Sequence, residues 1–159
     1  MKDNKGFTLV ALIFTVTVLA IITSIVIYSG MNIVKRANLE SMRSNMLLIQ
    51  AKVKEYAEEA DFKMGPNNDV TKKDEVYTNY NLESTSEVSG IPAGYIGEDF
   101  YYVSETALNN MGLNKIAEDL DDDEKYIVEI NIDDNISVEV YNTLGYQGHY
   151  SLSELEELQ

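Results

Sequence analysis

Cysteine and tryptophan are missing from this 159-residue chain, and histidine occurs once, at His149. Without a thiol there is no disulfide staple, no thiolate metal site and no cysteine nucleophile. One histidine supplies too few nitrogen ligands for a zinc centre of the usual kind. A serine triad could be built only around His149, and the sequence holds no nucleophile elbow to accompany it. Glycine does not help either, because Gly65, Gly90, Gly94 and Gly97 are not followed by the Lys-Ser/Thr that completes a phosphate loop. The residues offer no enzyme.

Basic residues are also scarce outside one region. Of the 12 Lys and Arg, four (Lys2, Lys5, Lys35 and Arg36) lie in positions 1–36, and of the 27 Asp and Glu only Asp3 does. Positions 37–159 therefore hold 8 basic against 26 acidic residues, a net −18. Affinity for nucleic acid comes largely from Lys and Arg displacing phosphate counterions, so direct nucleic-acid binding is not expected of this part. Such a surface favours solubility and suits cations.

What the chain does have is a long uncharged run. No charged residue stands between Lys5 and Lys35. As a helix, residues 7–28 would measure about 33 Å at about 1.5 Å per residue, enough for a hydrocarbon core of roughly 30 Å. A secretory signal peptide would have a shorter apolar core and then a small-residue cleavage site. Here the run continues past Ser29-Gly30 as Met31-Asn32-Ile33-Val34 without a polar break. Positive charge flanks both ends, so charge alone does not orient the segment.

The residues Lys5-Gly6-Phe7-Thr8-Leu9-Val10 resemble the cleavage and methylation motif of type IV pilins and of the related pseudopilins of type II secretion and DNA-uptake machines. The resemblance covers about the first 30 residues. It implies that a membrane-embedded prepilin peptidase cuts after Gly6 and methylates the new amine of Phe7. It also implies filament assembly with other pilin or pseudopilin subunits, driven by an assembly ATPase on a polytopic platform protein. The stored form would be a single-pass protein of the cytoplasmic membrane with its C-terminal domain outside, and the assembled form a cell-surface filament. One departure stands out. The family usually has a glutamate five residues into the mature chain, and here that position is Ala11. A carboxylate in lipid is costly unless paired, and the family is thought to pair it with a neighbour's terminal amine. Ala11 cannot do so, which fits a minor subunit near a filament tip, or else a divergent position in another kind of subunit.

Beyond residue 30 the helical pattern persists. Leu39, Met42, Met46, Ile49, Val53, Tyr56 and Ala60 recur at steps of three and four, the stripe of an amphipathic helix. Glu40, Arg43, Gln50, Lys54 and Glu58 are expected on its wet face, and Gly30 is a soft point between the halves. The sequence divides into a leader (1–6), a transmembrane or filament-core helix (7–30), the amphipathic half of the spine (31–62) and an acidic globular domain (63–159). In that domain residues 64–69 form a turn cluster, 70–89 read as a long connection, and 89–97 as a second loop. Residues 100–103 read as a strand, and Ser104 caps a short helix ended by Gly112. Residues 126–132 and 136–141 alternate as a hairpin through Asp133-Asp134-Asn135. Near the end, Ser151 with Glu154 and Ser153 with Glu156 form two overlapping capping boxes. The expected fold is α+β: a long helical spine packed on a small antiparallel sheet, as the resemblance also implies.

Two further clusters are weighed against plainer readings. Asp121, Asp122, Asp123 and Glu124 could hold Ca²⁺, but they lack the glycine and the distant glutamate of an EF-hand, and a solvated turn is the better account of the run. No other cofactor is indicated. The eleven tyrosines suggest a sugar-binding surface, yet most sit on expected strands where aromatics are favoured; Tyr146 and Tyr150, in a turn-rich segment, are the exceptions. Two functions follow: a structural subunit of a type IV pilus or secretion-type filament, or a bitopic membrane protein that never assembles and uses its acidic domain to hold a cation or partner.

Overall fold

No proline precedes Pro66, and helix α1 runs Lys5–Met64 with Gly30 inside it. The structure, a computed structural model, describes residues 5–132 and 135–158, and along α1 it gives the side chains at 12–21, 23 and 33–64. The chain forms two compact units, Met1–Glu40 and Ser41–Gln159, with α1 contributing to both. At its C-terminal end α1 stops where Gly65 takes φ +59° and Pro66, lacking an amide proton, follows.

In the second unit the expected stripe is the core. Met46, Ile49, Val53 and Ala60 have no exposed surface and Tyr56 is buried, joined by Ala57 and Met64, whereas Met42 is only half-buried. Burial of a large aliphatic side chain contributes about 1.5–3 kcal/mol, and these positions are the spine's share of the core. They face a five-stranded antiparallel sheet in simple order, β1 (Leu82–Ser84), β2 (Phe100–Val103), β3 (Tyr126–Asn131), β4 (Ser137–Tyr146) and β5 (His149–Ser151). Register puts Leu82, Val103, Tyr126 and Asn142 in one row across four strands, with Tyr101, Val128 and Val140 in the next. Tyr126, Val128, Ile130, Val138 and Val140 are all buried, as the alternation predicts. Ile127, on the opposite face, is buried too. There Tyr95, from the segment joining β1 to β2, lies 4.8 Å from the ring of Tyr141 and 6.3 Å from that of Phe100. The fold is α+β and pilin-like.

Three features differ from the sequence reading. Residues 70–89 are not an unstructured connection: they contain helix α2 (Val70–Asn79) and strand β1. Asp69 caps α2 by accepting from the amide of Thr71 at 3.1 Å and its hydroxyl at 2.6 Å, and those bonds hold its carboxyl below the usual range. Only Val76 and Tyr77 of α2 are buried, too few for a visible period. A second difference is at the C-terminal end, where residues 145–150 form a hairpin. Gln147 and Gly148 both take positive φ, the conformation of a tight two-residue turn, and Tyr146 pairs with His149. Gly145 is required there, since a Cβ would come within 2.6 Å of the His149 carbonyl oxygen.

The third difference concerns the polar residues of α1. Arg43 and Gln50 do not belong to a wet face. Both are half-buried. The amide of Gln50 donates to the carbonyl of Val138 at 2.8 Å. The guanidinium of Arg43 donates from Nε to the carbonyl of Leu155 at 2.7 Å, and from a terminal nitrogen to the carbonyls of Leu155 and Leu158. Flanking the stripe, these long side chains lay their stems along apolar surface and carry their polar ends to the sheet and to the last helix.

That last helix, α5 (Leu152–Glu156), settles which capping box forms. The Ser151 hydroxyl accepts from the Glu154 amide, and the Glu154 carboxylate accepts from the amides of Tyr150 and Ser151. These bonds lower the pKa of Glu154. The Ser153 amide donates instead to Glu139 on β4 at 2.8 Å. Ser104 caps α3 (Glu105–Asn110), and Gly112 takes φ +77° beyond it, as expected. A further short helix, α4 (Asn114–Glu118), buries Ile116 and Ala117.

A chain starting at Ala37 is expected to be soluble and folded. Within it, Ile49→Asp removes the cooperative thermal transition of the parent, because an unpaired carboxylate replaces a side chain with no exposed surface. Circular dichroism melting decides this; a sharp transition retained by Ile49→Asp would show that the stripe is not the core.

Candidate assembly surface and processing junction

The first unit contains residues 5–40 of α1, and its described side chains differ sharply from those of the second. Every one from 12 to 21 is exposed. Phe14 shows 69 % of its surface, and even the least exposed of the large apolar residues, Val18, shows 36 %. At about 100° per residue Leu12, Ile13, Phe14, Val16, Val18, Leu19 and Ile21 point to all sides of the helix, so there is no polar face. A helix apolar all round belongs in lipid or inside a bundle. At about 1.5–3 kcal/mol for each large side chain, covering these seven is worth on the order of 10 kcal/mol.

The three threonines of this stretch fit the same setting. Thr15 donates its hydroxyl to the carbonyl of Leu12 at 2.9 Å, Thr17 to that of Ile13 at 2.8 Å, and Thr23 to that of Leu19 at 2.8 Å. Each polar hydrogen is satisfied within the helix. None has to be stripped of a water partner on transfer to an apolar medium.

Gly6 and Phe7 lie in the first turn of α1, and Ala11 one residue before the exposed run. The leader residues 1–4 and the side chains of Phe7 and Ala11 lie outside what is described. So do the side chains at 8–10, 22 and 24–28 of the expected span. Among the described residues no helix is long and apolar enough to cross a membrane.

The acidic run is not assembled as a metal centre among the described residues: no three acidic or histidine side chains converge to hold an ion. Asp121, Asp122 and Asp123 are exposed in a turn closed by the Glu124 amide donating to the Asp121 carbonyl at 2.9 Å. Glu124 is turned to structural use. Its carboxylate accepts from the side-chain amide of the fully buried Asn142, whose own oxygen accepts from the amides of Leu144 and Gly145. Tyr126 shares hydrogen bonds with Asn45, Glu124 and Asn142, and burial pushes its phenol up to about 12. Of the other singled-out residues, His149 and Tyr146 are half-buried on the final hairpin and Tyr150 is 40 % exposed.

Residues 1–27 match the family model of the prokaryotic N-terminal methylation motif. The chain carries a prepilin-type signal. That signal is the hallmark of type IV pilins and pseudopilins, and the matched segment includes Gly6, Phe7 and the exposed apolar run. It also fits a membrane-anchored protein. No curated protein and no solved structure is significantly similar to the chain.

Replacing Gly6 with valine is expected to leave the leader uncut, with the full-length form accumulating in the membrane fraction of a prepilin-peptidase-positive host. Immunoblotting resolves the two forms; normal trimming of Gly6→Val would remove the junction from its assigned place.

Proposed function

We propose that this chain is a structural subunit, a pilin or pseudopilin, held in the cytoplasmic membrane and drawn into a helical filament whose core is made of packed N-terminal helices. The observation that carries this reading is the helix over residues 12–21, apolar on all sides, with its threonine hydroxyls bonded internally. Such a segment is stable in lipid and equally stable among copies of itself, since in both settings apolar surface meets apolar surface. Assembly is then an exchange of lipid contacts for helix contacts. The partners are a prepilin peptidase that cuts after Gly6, other subunits of the filament, and an ATPase with a membrane platform protein that performs the extraction. The motif points to a structural protein rather than an enzyme.

The acidic second unit would form the outer surface of such a filament. With 8 basic against 26 acidic residues over positions 37–159, it repels phosphate backbones, so this subunit is not the one that captures DNA.

Ala11 bears on the subunit's place in such a filament. Without a carboxylate at that position nothing neutralises a neighbour's terminal amine in a low-dielectric core, where an ion pair matters most. This fits a minor component that starts or caps a filament better than one that builds its length.

Two experiments test these readings. Mass spectrometry of the mature protein is expected to find a chain beginning at N-methylated Phe7; an intact N-terminus would favour a bitopic protein that does not assemble. In an assembly-competent host Ala11→Glu is expected to increase incorporation into filaments, while the matched Ala11→Gln control does not. Long homopolymers of the unmodified chain would overturn the minor-subunit assignment.

A further inference from the structure

Of the 14 asparagines in the chain, Asn135 alone has a serine or threonine two residues on without an intervening proline, in Asn135-Ile136-Ser137. Asn-x-Ser/Thr is the tripeptide whose asparagine carboxamide can be joined to a saccharide. A tripeptide recurs by chance, so its place in the fold decides whether it can be used. Asn142 is the contrast: its threonine is one residue on, not two, and its side chain is fully buried and bonded to Glu124.

The three residues stand where an enzyme can take hold of them. Strand β3 ends at Asn131 and β4 begins at Ser137, and the pairing of those two residues is the last rung of the ladder. Asn135 and Ile136 therefore belong to neither strand and lie at a bend leading into β4. Asn135 and Ser137 are exposed, and Ile136 is half-buried. Successive strand residues point to opposite faces, so Ser137 faces away from the side on which Val138 is buried. Among the described residues nothing bonds to the Asn135 carboxamide or to the Ser137 hydroxyl, whereas the side chains of Asn81 and Asn110 hold each other at 2.6 Å. A segment that enters an enzyme cleft must first leave its own neighbours. At Asn135 and Ile136 no ladder has to open, which keeps the cost of presenting them low.

We propose that Asn135 is an N-glycosylation site. The donor class is an oligosaccharide carried on a polyprenyl diphosphate. The Asn135 carboxamide nitrogen forms a bond to C1 of the terminal sugar, the C1–O bond to the diphosphate breaks, and the lipid diphosphate leaves with that electron pair while the carboxamide gives up one proton. The Ser137 hydroxyl is the recognition element of the tripeptide. A bulky, hydrated saccharide on an exposed side chain displaces nothing from the core. Such transfer acts on exported segments, so the proposal rests on the reading of the second unit as lying outside the membrane. It does not depend on filament assembly.

The test is mass spectrometry of the protein isolated from the cells that make it. Cleavage after Glu129 and Glu139 releases the peptide 130–139, which holds both Asn131 and Asn135. A saccharide mass increment is expected on this peptide, placed on Asn135 by electron-transfer fragmentation and absent from Asn131, which has Asp133 two residues on. Asn135→Gln and Ser137→Ala are each expected to abolish the increment and Ser137→Thr to keep it, while all three variants retain the thermal transition of the parent. Protease added to intact spheroplasts checks separately that the second unit lies outside. An unmodified peptide from protein that the protease reaches, or an increment that survives Ser137→Ala, would overturn the proposal and leave the pilin reading standing. A second unit shielded from the protease would remove both.

Discussion

The second unit depends on one contact above all: the stripe Met46, Ile49, Val53, Tyr56 and Ala60 of the spine helix against the inner face of the sheet. A sheet of five short strands has no independent stability unless one face is covered, and α1 is what covers it. Everything near the C-terminus is then set by how the sheet's last strands reach the same helix. Because there is no cysteine to close this region, closure rests on side chains of α1. Gln50 holds the carbonyl of Val138 and Arg43 holds the carbonyls of Leu155 and Leu158. A hydrogen bond to a charged donor contributes roughly 1.5–3 kcal/mol, comparable with a large buried side chain.

The same helix meets a different requirement nearer its start. Positions 46–60 are apolar along one stripe, whereas positions 12–21 are apolar on every side. The first pattern needs a single partner surface, and the intramolecular sheet provides it. The second pattern needs apolar partners in all directions, which a small domain cannot supply. That difference in periodicity is the physical basis for assigning one part of the helix to folding and the other to a membrane or filament core.

How much of this was legible in the sequence follows from the same distinction. The spine, the Tyr126 and Val138 strands and the Ser104 cap were readable because each carries a period or a capping residue with a fixed offset. Helix α2 was not, since it buries only Val76 and Tyr77 and is held by Asp69, a cap that looks like one more turn residue. Strand β5 was hidden behind glycines that mark a tight turn between paired residues rather than a loop. Arg43 and Gln50 read as solvated because side-chain length, not position on the helical wheel, determines what they reach. The prepilin-type signal was legible as a local motif, and the matched segment ends at residue 27.

The two polar ties from α1 have a mechanical consequence. Arg43 and Gln50 are seven residues apart, about 10 Å along the helix at 1.5 Å per residue, and they grip opposite extremities of the C-terminal half: β4 in one case, the end of α5 in the other. A load applied along the spine therefore reaches the sheet as shear shared between two separated anchors and the apolar stripe beside and beyond them, rather than as peeling that opens one bond at a time. Rupture requires several bonds to fail together. A domain without covalent cross-links can in this way travel with its helix when that helix is pulled.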